Sequence, residues 1–294
     1  MNVALSMMNE APERAGSVDF VRGSTRLYGI VGHPIEQVRS PETVTYELRK
    51  RGLDAILLPI HIEPEAFDDI FPHLLKISNL DGLVITVPYK ASAIRHVARS
   101  GPLGEISQSV SVIGRTKDDR WIGEMFDGVG CVAAIQKRGV RLPGSRVMLY
   151  GAGGAGAAIA LEMARHGPAE LTIFDPDRTK LDTLIGSLRR VYPTVRVVPG
   201  EAELSSIDLL VNASPIGMLD ESLAPIAASR IPSHVVVMDA IMEPDRTKLL
   251  RIAEDSGCLT VYGREMLDSQ IAGACDFLLR ARKSLAVEFE AHVL

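Results

Sequence analysis

Two residues in the first half of the chain carry side chains suited to moving a proton, Lys90 and Asp127. Lys90 follows, after Tyr89, the run Leu83-Val-Ile-Thr-Val-Pro88, which reads as part of a strand. The lysine is therefore expected at a strand's carboxyl end, where open α/β sheets place their ligands. Asp127 lies in Gly123-Glu-Met-Phe-Asp127-Gly-Val-Gly130, at the junction of two α/β series. Oxidising an alcohol needs a group that takes the hydroxyl proton as hydride leaves the carbon, and reduction needs the reverse. A lysine in a cleft, positioned by a neighbouring carboxylate, suits that task. Each residue alone also has an ordinary structural reading, as a surface lysine and a helix N-cap aspartate.

A second constellation is the run Val147-Met-Leu-Tyr-Gly151-Ala152-Gly153-Gly154-Ala155-Gly156, followed by the helical stretch Ala157–Arg165. An apolar strand, a glycine-rich turn and a helix of small residues occur in the order that a dinucleotide site requires. Gly151 permits the tight turn, Gly153 and Gly154 let the backbone approach a pyrophosphate, and Gly156 allows close helix–strand packing. The next strand, Leu171-Thr-Ile-Phe174, ends on Asp175. That is close to the roughly 20 residues expected between the turn and an acid that receives the adenosine ribose hydroxyls. A carboxylate there favours NAD and repels a 2′-phosphate, while Arg178 could partly offset the repulsion and admit NADP. A plain α/β turn without cofactor is the alternative reading of the glycines alone.

The elements that must position these groups are legible in outline. Arg26–Gly32 reads as a strand, and Ser40-Pro41-Glu42 as a helix start with Ser40 as N-cap, the helix ending near Arg51 before Gly52. Strand Ala55–Ile60, a helix over Pro64–Ile77 and strand Gly82–Val87 follow. Val110–Arg115 and Arg120–Glu124 flank a Lys-Asp-Asp turn and predict a hairpin. A helix over Val129–Arg138 leads into strands Arg146–Tyr150, Leu171–Phe174, Arg196–Val198, Asp208–Asn212, Val235–Ala240 and Leu259–Val261. The segment from Glu265 to about Glu288 predicts one or two amphipathic helices. The order is that of an α/β protein: an N-terminal α/β domain and a Rossmann-type dinucleotide domain, with a cleft between them.

Composition narrows the class. The chain has 294 residues, 46% of them hydrophobic and 23% charged, with a net charge of -5. These values fit a globular protein and offer no basic field for nucleic acid. No apolar run is long enough for a membrane helix. Residues 1–25 lack a cationic start followed by an apolar run, which predicts a flexible extension rather than a secretory signal. Cys131, Cys258 and Cys275 are an odd count far apart, as expected of reduced thiols in the cytoplasm. The seven histidines show no metal-ligand spacing along the chain, so no metal is expected.

Taken together, the motifs resemble those of the shikimate/quinate dehydrogenases. The likeness runs from about Leu27 to the last helices and rests on six stretches. They are Gly32-His-Pro-Ile35 with Ser40-Pro41, Thr86-Val-Pro-Tyr-Lys90, Asp127-Gly-Val-Gly130, Gly151-Ala-Gly-Gly154, Asn212-Ala-Ser-Pro-Ile-Gly-Met218 and Gly263-Arg-Glu-Met-Leu-Asp-Ser-Gln270. The resemblance implies a substrate domain made of residues 26–127 and 262–294, with an NAD(P) domain at 128–261. It makes Lys90 and Asp127 the catalytic pair. Thr86 and Gln270 become contacts to substrate hydroxyls, and Ser40 one of two serines that hold a substrate carboxylate. Ser111 stands where the family has a substrate-binding asparagine. On the cofactor side it implies Gly151, Ala152, Gly153, Gly154, Ala155, Asp175, Arg178 and Asn212, with Met218 and Gly263 beside the nicotinamide.

The departures concern the carboxylate anchor. Val38 replaces the first serine of the family's Ser-x-Ser loop, Met242 a tyrosine, and Val84 an asparagine. Each lost partner leaves a carboxylate worse off by about 1–3 kcal/mol. Arg39 could compensate, although a surface arginine is the plainer reading. The implied function is NAD(P)-linked hydride transfer to or from a ring hydroxyl of shikimate or a related small cyclic hydroxy acid or polyol, by a monomer or homodimer. Quinate or aminoshikimate dehydrogenase is the close alternative, and a non-catalytic dinucleotide-binding regulator the distant one.

Overall fold

The computed structural model describes residues 21–286. Most of the expected N-terminal extension, and the end of the expected C-terminal helix, lie outside the described residues.

The first half comprises β1 (Arg26–Gly32), α1 (Ser40–Lys50), β2 (Ala55–His61), α2 (Phe67–Leu74) and β3 (Leu80–Ile85). It continues with α3 (Lys90–Ala93), β4 (Arg99–Ser100), α4 (Pro102–Ser107), β5 (Val112–Arg115), β6 (Trp121–Glu124) and α5 (Asp127–Lys137). The second half comprises β7 (Arg146–Tyr150), α6 (Gly154–Arg165), β8 (Glu170–Phe174), α7 (Arg178–Val191), β9 (Arg196–Pro199), β10 (Leu209–Asn212), β11 (Val236–Asp239), α8 (Lys248–Asp255), β12 (Thr260–Val261) and α9 (Gly263–Ala281).

These strands form two six-stranded sheets, ordered β2-β1-β3-β5-β6-β4 and β12-β11-β10-β7-β8-β9. In the first, β1 is parallel to β2 and β3, while β5 is antiparallel to both β3 and β6. The hairpin expected from sequence is the β5–β6 pair, turned through Asp119 at φ 57°. The second sheet is parallel throughout and reverses direction of travel at β7, the doubly wound order of dinucleotide folds.

Glycines set how α9 and α5 lie. A Cβ on Gly82 would stand 2.4 Å from Leu278, and one on Gly114 2.7 Å from Ala281, so both strands must be bare for α9 to seat on the first sheet. Phe277 and Leu278 thereby join Tyr28, Ile30, Val112 and Phe126 in one core cluster. On α5, a Cβ at Gly128 would meet the Ala158 carbonyl oxygen at 2.2 Å, and one at Gly130 the Met266 oxygen at 2.7 Å. The Asp-Gly-Val-Gly motif therefore lets α5 press α6 on one side and α9 on the other.

The structure corrects several boundaries. Ser40 does not cap α1; it is itself helical and buried, Arg39 holds the N-cap position, and no side chain caps the helix. The strand expected over Gly82–Val87 lies earlier, at Leu80–Ile85. Asp81 is tolerated inside it because Arg26 and Arg282 pair with its carboxylate, and Thr86 already opens a turn closed by the Tyr89 amide. The helix expected over Pro64–Ile77 divides into a 3₁₀ turn, Pro64–Ala66, and α2, ending at Leu74 where i+3 turns take over. The final helix begins two residues before Glu265, at Gly263, and ends at Ala281.

Candidate active site

Thr86 and Lys90 follow β3, at the carboxyl edge of the first sheet. The Thr86 amide donates to the Val31 carbonyl at 2.9 Å, and a Cβ on Gly32 would meet the Thr86 methyl at 2.4 Å. Gly32 thus admits Thr86 beside β1. Lys90 opens α3, and its ammonium pairs with the Asp127 carboxylate. The lysine side chain is 17% exposed and that of Asp127 3%, so the carboxylate is inside the fold and the lysine at its margin. Asp127 is the first residue of α5, but its carboxylate is spent on Lys90 rather than on a helix cap.

The other half of the site lies directly opposite. Gly151 follows β7 at φ 105°, a conformation that side chains resist, and a Cβ there would press on Ala213 and Ser214 within 2.9 Å. A Cβ at Gly156 would stand 2.1 Å from the Gly151 oxygen, so the turn folds tightly under α6. Among the described residues, no atom beyond Gly153 and its chain neighbours lies within 4 Å of a Cβ placed on Gly153, which leaves that edge of the turn open. A Cβ on Gly154 would be 3.7 Å from the Lys90 Cβ and 3.3 Å from that of Ser109. The glycine turn and the lysine are therefore neighbours.

A nicotinamide dinucleotide fits these residues. The turn sits at the carboxyl end of β7, where the strand order reverses towards β10. Its open edge, the amides at the start of α6 and the carboxylate of Asp175 supply the parts such a ligand requires. Asp175 accepts from the Ala152 amide at 2.7 Å and the Asp177 amide at 2.8 Å, one bond to each oxygen, leaving a further lone pair on each. Arg178 opens α7 and is exposed. Ala155 follows Gly154 in the first turn of α6.

Asn212 lies fully buried at the end of β10, paired in register with Tyr150. Its amide nitrogen donates to Asp239 at 3.1 Å and to the Ile216 carbonyl at 3.3 Å, and its oxygen accepts from the Ser214 amide and hydroxyl. The side chain therefore shapes the Ser214–Gly217 turn that leads to half-buried Met218. Asp239 is the second hub: burial pushes its carboxyl up to about 6, against bonds from Thr247, Ile241 and Asn212 that favour the charged form. Sequence reasoning did not single out Asp239. Its place at the end of a strand, in register with Asn212, was the available signal. Gly263 starts α9 against the Ile241 oxygen, which a Cβ would approach to 2.3 Å.

Gln270 is on the same α9 face, with its Cβ 3.0 Å from the position of a Cβ on Gly130. Its Oε1 is buried and has no partner among the described residues. Ser111 is buried, and its hydroxyl accepts from the Phe126 amide at 2.8 Å, so it braces the turn before Asp127. Ser40 is buried at the end of the loop that carries Val38. Val38, Val84 and Ile271 all pack, partly buried, against the cluster containing Tyr28, Val112 and Phe126. Arg39 is exposed, and Met242 half-buried.

The family model described as the shikimate dehydrogenase substrate binding domain matches residues 30–113. The chain is 32% identical over 263 residues to the shikimate dehydrogenase (NADP(+)) of Symbiobacterium thermophilum, with 86% of this chain and 88% of that one covered. Its structure is similar to ligand-free 5-ketofructose reductase of Gluconobacter sp. strain CHM43, at a TM-score of 0.74 and 26% identity, over 90% of this chain and 95% of the other. A shikimate dehydrogenase in complex with NADP+ is similar at a TM-score of 0.81 and 25% identity, over 92% and 95%. The chain belongs to the shikimate/quinate dehydrogenase family of NAD(P)-dependent oxidoreductases that act on a CH–OH group.

Proposed function

We propose that Lys90 and Asp127 handle the proton in reversible hydride transfer between NAD(P) and a ring hydroxyl of a shikimate-like compound. The observation that carries this reading is the Lys90–Asp127 pair set against the glycine turn at Gly154. The reactants lie between two units, residues 26–127 with 262 onward, and 128–261. Bound nicotinamide supplies hydride in one direction and accepts it in the other.

The chain's own residues do the rest. Asp127, largely out of water, fixes the direction of the Lys90 side chain. In oxidation, neutral Lys90 takes the hydroxyl proton as the carbon loses hydride; in reduction, its ammonium gives that proton to the forming alkoxide. Thr86 and Gln270 hold neighbouring hydroxyls, the latter by filling the unpartnered Oε1 with a donor. Ser40 and Ser111 border the ring. The amides of Gly153, Gly154 and Ala155 would hold the pyrophosphate, with Gly151 and Ala152 shaping the turn through their bonds to Phe174 and Asp175. Asn212 shapes the adjoining turn, and Met218 and Gly263 would flank the nicotinamide.

The cofactor reading is NAD first, because the Asp175 carboxylate accepts ribose hydroxyls and repels a phosphate, with Arg178 allowing weaker use of NADP. The substrate group beside Val38, Val84 and Met242 is uncharged, or less well anchored than a carboxylate in relatives with polar residues there. The Gluconobacter relative, named for a keto sugar, offers a parallel for a substrate without an acid group. The buried free thiols Cys131, Cys258 and Cys275 support a reducing, cytoplasmic setting. Among the described residues, no helix is long and apolar enough to cross a membrane.

The test is initial-rate absorbance at the reduced-nicotinamide band, with shikimate, quinate and neutral cyclic polyols or keto sugars, each with NAD and NADP. Turnover of a neutral compound above shikimate supports the apolar-anchor reading, and efficient turnover of shikimate overturns that part alone. Dinucleotide binding without turnover of any compound would favour the non-catalytic regulator.

A further inference from the structure

We propose that His33, His61 and Glu63 form a binding site for a divalent transition-metal cation of the zinc type. His33 is distant in sequence from His61 and Glu63, and none of the three belongs to the proton-handling pair. They meet because β1 and β2 run parallel with Gly32 opposite His61, so the residue after one strand faces the last residue of the other. Glu63 follows two positions later, just before the Pro64–Ala66 turn.

One ligand atom from each residue lies within 4.8 Å of the other two. His33 Nδ1 is 2.9 Å from His61 Nε2 and 3.2 Å from Glu63 Oε2, while His61 Nε2 is 3.7 Å from Glu63 Oε1. Ligands at zinc–nitrogen and zinc–oxygen distances of about 2.0–2.2 Å in a tetrahedron stand about 3.3–3.6 Å from each other. The three observed distances, the two to Glu63 ending on different carboxylate oxygens, fall around that range. Two imidazole nitrogens 2.9 Å apart repel as lone pairs unless a proton or a cation lies between them, and a cation also satisfies the carboxylate. The donor set, two imidazoles and one carboxylate, suits zinc and its first-row neighbours rather than the all-oxygen shells of calcium or magnesium. The side chains are 35%, 36% and 61% exposed, so a fourth position is open to solvent. Glu36 lies close enough to both imidazoles to add negative potential.

The location suggests what such a cation does. The His33 amide donates to the Val87 carbonyl at 2.9 Å, tying this corner to the Thr86–Lys90 segment. His33 also opens the loop that leads through Val38 to Ser40. A cation at the three residues fastens that loop to the end of β2 and steadies the border of the substrate site.

The experiment uses full-length, tag-free, chelator-treated protein titrated with Zn2+ by calorimetry, with melting temperature followed in parallel. One ion should bind per chain and raise the melting temperature. His61→Ala and Glu63→Gln should each weaken binding at least tenfold and abolish the thermal shift, with circular dichroism unchanged. No saturable binding to the wild type, or equal affinity and stoichiometry in the H61A/E63Q double variant, would overturn the proposal. Neither readout depends on turnover.

Discussion

Gly154, the first residue of α6, faces Lys90 so closely that a methyl group on it would stand 3.7 Å from the lysine's Cβ. The glycine turn after β7 and the Lys90–Asp127 pair are thus neighbours, although they lie on different sheets. α5 makes this possible, because Gly128 and Gly130 let it touch α6 and α9 at backbone distance.

Gln270 tests whether the orphaned acceptor exists for a ligand. A buried oxygen without a donor costs free energy in the unliganded protein, about 1–3 kcal/mol. Gln270→Leu should therefore keep or raise the melting temperature while raising the substrate KM by roughly tenfold, about 1.4 kcal/mol. Thermal unfolding and initial rates on the same preparation check it. A lower melting temperature with unchanged KM would assign Gln270 to packing alone.

Asp175 tests cofactor choice. Asp175→Ala removes the acceptor for ribose hydroxyls and the negative charge facing a 2′-phosphate. The ratio of kcat/KM for NAD over NADP should fall by roughly tenfold or more. The variant also loses the bond from the Ala152 amide, so some weakening for both dinucleotides is expected. An unchanged ratio would show that Asp175 does not read the ribose.

Glu124 gives the protein a pH signature. Burial pushes its carboxyl up to about 7, opposed by amide bonds from Met125 and Gly104. A folded-state value above the ordinary one means that the fold holds a proton the unfolded chain has released. This contribution is complete below the ordinary carboxylate value and is lost as pH rises through 7. From about pH 5 to about pH 8 the wild type should lose stability from this source, and Glu124→Gln should flatten that part of the profile. Denaturation midpoints across the range check it, and identical slopes would contradict the assignment.

Much of this was legible in the sequence because local chemistry dictated it. The turn Gly151–Gly156 needs glycines for backbone reasons that appear in the linear order, and Arg146–Tyr150 matches the observed strand residue for residue. Lys90 and Asp127 were recognisable as candidates, but their pairing was not a local property; it depends on helix packing at Gly128 and Gly130. The early start of β3 was hidden by Asp81, whose burial is permitted only by two arginines from distant segments. Ser40 resembled a cap by type and spacing, yet the chain enters α1 one residue earlier. His33 and His61 have no ligand spacing along the chain, since strand register brings them together. Spacing rules see helices and turns, not pairs made across a sheet.

The most direct measurement of the central claim compares hydride-transfer rates of the wild type and Lys90→Ala, with dinucleotide binding measured on the same samples. The pair at the glycine turn predicts that Lys90→Ala binds the dinucleotide with little change and loses about 10²–10⁴-fold in rate. Near-normal turnover in that variant would contradict the assignment of proton transfer to Lys90.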